Sequence, residues 1–176
     1  PTTTSADYQH TYEVGLQAYV YGLPLLTTDA TFQTMTSVNV SDGAFGPANR
    51  FNNVRSPNTS GSTAVVAPGA TSLSSIAWLD LSREPQVVHV PKVTGHFFVL
   101  AMLDPYTEDL VDLGTASATA PGDYVVTAPQ QRGVTIPGKA HRIAVDHTRI
   151  WVIGSTQLKG AADIPVVNRI QDQYTV

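Results

Sequence analysis

The chain has 176 residues, of which 42% are hydrophobic and 14% are charged, and its formal net charge is −4. This length and composition indicate one globular domain, spanning residues 1–176, with a real core. The acidic balance argues against an electrostatic nucleic-acid interface. The absence of cysteine excludes disulfides, thiolate metal sites and cysteine nucleophiles.

The same composition bears on the compartment. Charged residues are few, lysine is rare, and serine and threonine are abundant, which together favour an exported protein. We therefore expect an extracellular or cell-surface location, with the periplasm as the alternative. The start at Pro1 fits removal of a signal peptide and fits a trimmed chain equally well. No apolar segment approaches the roughly 20 residues that a transmembrane span needs.

The first predicted element is a helix that begins after Ser5, which is a suitable N-cap residue. Apolar residues then recur every three or four positions on one helical face. This tyrosine stripe consists of Tyr8, Tyr12, Leu16, Tyr19 and Leu23. We expect the stripe to pack in the core, and a ligand-stacking face is the alternative. Gly22 and Pro24 predict that the helix stops or kinks, so residues 25–35 form a second short helix.

Loops and one short strand follow these helices. Residues 38–48 and 56–62 are rich in turn-forming residues and predict loops, whereas residues 63–67 predict a strand. Asn39 and Asn58 match the glycosylation pattern, which matters only in a glycosylating secretory host.

The densest apolar stretch spans residues 72–107. It contains short runs that end in turn formers: residues 76–81, residues 86–90 before Pro91, and residues 97–103 between glycine and Asp-Pro. This pattern predicts consecutive antiparallel strands. Because residues 97–103 are apolar at successive positions, we expect that strand to be central and buried on both faces.

The remaining elements are further strands and one helix. Strands are expected near residues 110–113 and at 123–127, 142–145 and 149–154, with a turn at 146–148. Asp163 predicts the cap of a last helix that has Pro165 in its first turn. The fold class is therefore α+β: a mainly antiparallel β-sandwich with two N-terminal helices and one C-terminal helix.

A search for known catalytic and metal-binding motifs gives little indication of a function. The five histidines form no metal-binding motif, so we expect neither a metal nor another cofactor. Serine nucleophile and phosphate-binding motifs are also missing, although a Ser–His–Asp site assembled by folding stays open. Asp80 and Asp104 each end a predicted strand, so one interpretation places them as paired carboxylates at one rim of the sheet. Roles as turn residues are the favoured interpretation.

Several short segments resemble a known family when their order and spacing are taken together. They are residues 18–24 (AYVYGLP), 77–82 (AWLDLS), 103–107 (LDPYT), 151–154 (WVIG) and 171–175 (QDQYT). In this respect residues 10–176 are similar to the family called domain of unknown function 1254. The resemblance implies a β-rich domain, which many relatives follow with a second β-rich domain that we expect to be missing here. It implies no established reaction.

The chain departs from this family pattern at polar positions. Relatives tend to carry a P-N-x-D-T-x-Y run where this chain has residues 68–74, PGATSLS. Arginines usual in the family are replaced by His96, Ala116 and Ser155. Since carboxylates, amides, phenols and guanidiniums are what a polar site is made from, their joint loss suggests that the site is not maintained.

Polar residues at matching positions are Asn49, Arg55, Asp80 and Asp104. Asn49 and Arg55 are weak candidates for ligand binding, and all four are also compatible with structural roles alone.

Two functional hypotheses follow. The first is a non-catalytic, exported structural protein that assembles with itself as a homo-oligomer or filament subunit, because thinly charged domains repel each other little and strand edges supply templates. The second is an enzyme or small-ligand-binding protein with a relocated site, in which His96 works with Asp80 or Asp104 as the base. The second hypothesis requires an apolar pocket that holds His96 within hydrogen-bond reach of one aspartate.

Overall fold

The computed structural model of the chain describes residues 5–57, 71–136 and 138–176. The two α-helices are α1 (Ser5–Met35) and α2 (Ile164–Gln171). The strands are β1 (Asn52–Asn53), β2 (Ser72–Asp80), β3 (Gln86–Val90), β4 (Phe98–Leu103), β5 (Asp109–Leu113), β6 (Gly122–Thr127), β7 (His141–Ala144) and β8 (Arg149–Gln157). Short 3₁₀ helices lie at Thr115–Ser117, Pro129–Gln131 and Ala161–Asp163. The predicted α+β class with mainly antiparallel strands is confirmed.

In the described part of the chain, the larger sheet has five strands in the order β1-β2-β8-β4-β5. Its centre is β8, which pairs antiparallel with β2 on one side and with β4 on the other. The expectation that successive strands pair is wrong for β2 and β3, which belong to different sheets. Leu81, fully buried between them, lies where the chain leaves the first sheet, so the connection itself crosses apolar core.

The smaller sheet has the order β3-β6-β7, and its β6–β7 pair is parallel. The two sheets share one hydrophobic core built from the inward side chains of both. Its strand members include Ala77, Leu79, Val88, Val90, Phe98, Leu100, Met102, Tyr124, Val126, Ile150 and Val152. Sharing of one core by two sheets is the arrangement of a β-sandwich.

Strand β4 lies inside the larger sheet, between β8 and β5, as its apolar sequence predicts. Only one of its faces is fully buried, however. Phe98, Leu100 and Met102 point into the core, whereas Val99 and Ala101 are half-buried on the other face. The expectation of two covered faces is therefore wrong, because the helix that covers the outer face of the sheet packs on β2 and β8 rather than on β4.

That covering helix is α1, which runs without interruption through Pro24. The prediction of two N-terminal helices is therefore wrong. A proline within a helix removes one backbone hydrogen bond, and the turn that follows is supported by the Thr27 hydroxyl, which donates to the Leu23 carbonyl. Near the C-terminal end of α1, Phe32 is buried edge-on against Trp78, with ring centroids 5.5 Å apart.

The tyrosine stripe is not part of the core. Its five side chains are 41–67% exposed. The predicted face exists, but the larger sheet supports only the C-terminal part of α1, through Phe32 and Met35. Helical periodicity identifies an apolar face and does not identify what covers it.

Helix α2 begins next to Pro165, as predicted, but Asp163 does not cap it through its side chain. The predicted strand at residues 63–67 and the residue Asn58 lie outside the described residues. Asn39 is exposed. Within the described ranges, no helix combines the length and hydropathy of a membrane span.

Candidate functional site

The candidate residues lie at opposite ends of β8. Asp80 is paired across the sheet with Arg149, the first residue of β8, and Asp104 follows Leu103, which is paired with Trp151. The two aspartates therefore lie at the same end of β8. His96 lies at the other end, since the neighbouring Phe97 carbonyl accepts a hydrogen bond from the Gln157 N–H. The nine residues of β8 span about 26 Å.

The relocated site proposed for His96 therefore fails in its predicted form, because its base and its imidazole are a strand length apart. The pairing combined a histidine that replaces a family arginine with two aspartates at positions that match the family pattern. Each side chain instead has other contacts, and these show what it does.

Both aspartates act as turn residues, as the favoured interpretation predicts. One carboxylate oxygen of Asp80 accepts the Ser82 N–H at 2.9 Å. Hydrogen bonds from the Ser82 hydroxyl and N–H hold the pKa of Asp80 below its ordinary value. Asp104 Oδ1 accepts the N–H groups of Tyr106 and Glu108 at 2.7 and 3.0 Å. Such side-chain-to-backbone bonds are the normal use of aspartate in turns.

The rim also contains an imidazole that sequence reasoning missed. His147 Nε2 lies 3.5 Å from Asp104 Oδ2, and the Tyr106 ring lies 6.3 Å from the imidazole. Tyr106 in turn contacts Tyr21 of α1 at 5.7 Å, and the hydrogen bond between these phenols raises the pKa of Tyr106. The cluster joins α1 to the end of the sheet. Its only sequence signal is that His147 and Asp104 both flank strands.

His96 forms a different pair at the opposite end. Its Nε2 lies 2.9 and 3.1 Å from the two oxygens of Asp163, and the side chains are only 9% and 15% exposed. Asp163 also accepts the Lys159 N–H at 2.9 Å. That backbone bond first, and the imidazole second, hold the pKa of the Asp163 carboxyl below its ordinary value. Because the pair joins the segment before β4 to the start of α2, it acts as a clamp between elements.

Beside this clamp lies a shallow depression of 310 Å³. It is lined by Thr71, Ser72, Phe97, Phe98, Val99, Ala116, Ser155 and Gln157. Two of the positions where the family resemblance implies arginine, 116 and 155, therefore meet on one surface. The side chains present there are a methyl and a hydroxymethyl group, and none of the lining residues is ionisable.

Asn49 and Arg55 also have structural contacts. Asn49 has a left-handed backbone, with φ of 58°, and its Oδ1 accepts the Asp80 N–H at 2.7 Å. Arg55 pairs with Asp172 at 2.7 Å and donates to the Asn168 carbonyl at 3.0 Å. Asn49 therefore fixes the end of β2, and Arg55 fixes the chain against α2.

The smaller sheet carries one further imidazole–carboxylate pair. His89 Nδ1 lies 2.7 Å from Asp123 Oδ1, across the β3–β6 pairing. Both side chains are exposed, so this is a cross-strand surface pair. In the parts of the chain that the structure describes, no three His, Asp or Glu side chains are grouped so that they would hold a metal ion.

Comparison with known proteins gives a family and a fold. A family model described as "Protein of unknown function (DUF1254)" matches residues 48–176. A solved structure, the VPA0106 protein from Vibrio parahaemolyticus, is similar with a TM-score of 0.70 and 21% sequence identity. The similarity covers 90% of this chain and 36% of that chain, so this chain spans about a third of that protein's length. None of the curated proteins matches. At this identity, the solved structure supports the fold alone.

Proposed function

The chain belongs to the DUF1254 family, and we propose that it is a non-catalytic structural protein that assembles with copies of itself. The observation that carries this proposal is the extent of apolar surface on α1. Residues 6–26 of this helix are almost entirely exposed, and the exposed residues include four tyrosines and five large aliphatic residues. Contiguous exposed apolar surface of this kind marks an interaction site in a soluble domain.

The contacts of the candidate site residues support the proposal. The carboxylates of Asp80 and Asp104 serve turns, and the buried imidazole of His96 is bound to Asp163. The depression that brings positions 116 and 155 together has no ionisable lining group. These contacts contribute to a stable frame, and Asp80 and Asn49 also line a polar pocket together with Ser82, Arg83, Glu84 and Gln86.

Low charge supports assembly rather than mutual repulsion. Only 14% of the residues are charged, well below the roughly 25% of ordinary soluble domains. Approach of two copies therefore requires little desolvation or repulsion of like charges. The same composition, with few lysines and many serines and threonines, is the basis on which we place the protein outside the cytoplasm, at the cell surface or in the medium.

The mass of the purified protein in solution tests this proposal. Size-exclusion chromatography with light scattering, over a hundredfold range of concentration, should show masses above the 18.8 kDa of one chain that increase with concentration. Negative-stain microscopy of the largest fraction would show whether the assemblies are closed or filamentous. A chain that stays monomeric throughout and binds a small ligand would contradict the proposal.

A further inference from the structure

Helix α1 has two apolar faces on opposite sides. At 3.6 residues per turn, Tyr21, Leu25, Thr28 and Phe32 lie on one side, where Phe32 packs against the sheet and Tyr21 meets the rim. A second set lies about 180° away from the first. This outer stripe consists of Tyr8, Tyr12, Leu16, Tyr19, Val20, Leu23 and Leu26. The fold of the chain accounts for the C-terminal part of the first face, although Tyr21 on that face is still 70% exposed. The described residues leave the seven side chains of the second face 41–67% exposed.

The outer stripe has the spacing of a helix–helix contact. Tyr12, Leu16, Tyr19, Leu23 and Leu26 follow one another at intervals of four, three, four and three. This alternation is the seam of a coiled coil, where side chains of one helix insert between those of another. The segment is short for an independent coiled coil, but α1 is already held on the domain at its C-terminal end and does not have to form alone.

Two glycines border the outer stripe without a reason in the fold of the monomer. Gly15 and Gly22 lie seven residues apart, and a Cβ atom built at either position would meet no atom of the described residues within 4 Å. Glycine in the middle of a helix costs roughly 1 kcal/mol relative to alanine. Small residues beside an apolar seam allow a second helix to approach closely, which is a role that the single chain does not use.

The charge of α1 limits what can cover the stripe. Its sequence contains aspartate and glutamate at positions 7, 13 and 29 and neither lysine nor arginine. An anionic membrane surface attracts basic helices, so it does not fit. A second copy carries the same 4-3-4-3 spacing and few charges next to the seam, so the two stripes complement each other without like-charge contacts.

The area of the stripe is sufficient for a specific contact. Its seven side chains are 41–67% exposed, and side chains of this size leave on the order of 700 Å² accessible together. A standard protein interface buries roughly 600–1,000 Å² on each partner. Continuous contact along the stripe therefore reaches the size of a stable interface.

We infer that the outer stripe of α1 binds the outer stripe of a second copy of this chain, helix along helix. The inference rests on the proposed self-assembly and adds the surface through which it occurs. Apolar side chains from both helices become buried at the seam, while the C-terminal part of each α1 keeps its opposite face on its own sheet.

Two neighbouring substitutions provide the test. Leu16→Asp places a carboxylate in the seam, whereas Gln17→Asp places the same charge on the next residue, outside the stripe and equally exposed in the monomer. An unpaired charge in an apolar contact is strongly unfavourable, so in sedimentation velocity Leu16→Asp should raise the association midpoint at least about tenfold and Gln17→Asp less than about threefold. Near-ultraviolet circular dichroism should show the same native tryptophan signal for both variants, because both positions are exposed.

Cross-linking gives a second measurement that does not depend on weakening the assembly. Because the chain has no cysteine, a single substitution introduces a unique thiol. Tyr19→Cys, at the centre of the seam, should form a disulfide-linked dimer with oxidised glutathione whether the helices run parallel or antiparallel. Gln17→Cys is the control and should cross-link at least about fivefold more slowly, since disulfides require Cα atoms within about 7 Å.

The outcomes separate this inference from the proposed function. A wild-type chain that stays monomeric contradicts both. Wild-type assembly that Leu16→Asp and Gln17→Asp weaken equally, together with equal cross-linking at positions 17 and 19, overturns the docking surface and leaves self-assembly intact. Association of monomers with neutral phosphatidylcholine vesicles, lost in Leu16→Asp, would assign the stripe to a lipid surface and overturn the inference.

Discussion

Replacing Phe32 with alanine tests how α1 is held on the domain. The ring is 8% exposed and lies 3.7 Å beneath the guanidinium carbon of Arg149, in addition to its contact with Trp78. Loss of a buried phenylalanine side chain costs about 3–5 kcal/mol of the free energy of unfolding. Met35 and Phe45 are only partly buried beside it and have room to relax into the space, so we expect a loss near the lower limit.

A loss of about 3 kcal/mol corresponds to a decrease in Tm of roughly 6–12 °C for a chain of this size. Urea unfolding followed by tryptophan fluorescence measures it. The chain has two tryptophans, Trp78 and Trp151, which stack at 4.8 Å and lie in the cluster that contains Phe32. Their emission therefore reports on the contact between α1 and the sheet as well as on global unfolding.

Tyr12→Ala is the matched control, since it removes an aromatic ring from an exposed position of the same helix. At concentrations low enough for the monomer, it should change the free energy of unfolding by less than about 0.5 kcal/mol. If both variants lose the same stability, or if Phe32→Ala loses less than about 1 kcal/mol, then α1 is not anchored by its C-terminal part as described.

Three further predictions concern the sheet, the candidate residue Asn49 and pH. Gly154→Ala should lower the free energy of unfolding, measured in urea, by about 1–3 kcal/mol, because the new Cβ would lie 2.8 Å from the Ser75 carbonyl oxygen. Gly133→Ala is the control and should be neutral, since a Cβ at that position has open space. Equal effects of the two substitutions would contradict the described packing of Gly154. Asn49→Ala should lower the free energy of unfolding by about 1–3 kcal/mol, and Asn49→Gly should lower it less, since glycine tolerates the left-handed backbone. The reverse order would show that backbone strain does not contribute to the loss of stability. Asp163→Asn removes a carboxylate whose pKa is below its ordinary value of 3.8. The stabilisation that this carboxylate gives to the folded protein is fully present above its ordinary pKa and is lost as the pH falls through the lower pKa of the folded state. The stability difference from wild type, measured by urea unfolding, should therefore be larger at pH 6 than at pH 3, and a difference that grows on acidification would contradict the assignment.

Local chemistry was sufficient to predict most strands. Runs bounded by glycine, proline and aspartate at 86–90, 97–103 and 123–127 correspond to β3, β4 and β6 within one residue at each end. The turn roles of Asp80 and Asp104 were also predictable, since an aspartate that ends an apolar run has backbone N–H groups within reach of its carboxylate.

Non-local pairing was not predictable from these signals. The residues paired between β2 and β8, such as Trp78 and Trp151, are separated by 69 to 85 positions, and nothing in either run specifies the other. The pair of His96 and Asp163 was not predictable for the same reason, since folding brings together two residues that are distant in sequence. The family pattern suggested Asp80 or Asp104 as the partner of His96, although the antiparallel order of the sheet places both aspartates at its other end.

Helix α1 shows where local rules fail in a second way. Pro24 has a strong local effect, yet the helix continues through it, because its remaining turns and the contact of Phe32 with the sheet outweigh one lost hydrogen bond. Periodicity correctly predicted the apolar face of Tyr8 to Leu23. Placing that face in the core requires that a single chain buries its own apolar surface, and this assumption is wrong for α1.

The most direct measurement of the central claim is amide hydrogen exchange of residues 6–26 as a function of protein concentration. The account predicts that amides in this segment exchange rapidly in the dilute monomer, where the helix lacks packing on its outer side, and become protected as assemblies form. Amides of β8, which are buried in either state, should serve as the internal reference and stay unchanged. Protection in residues 6–26 that does not depend on concentration, while light scattering shows assembly, would contradict the account.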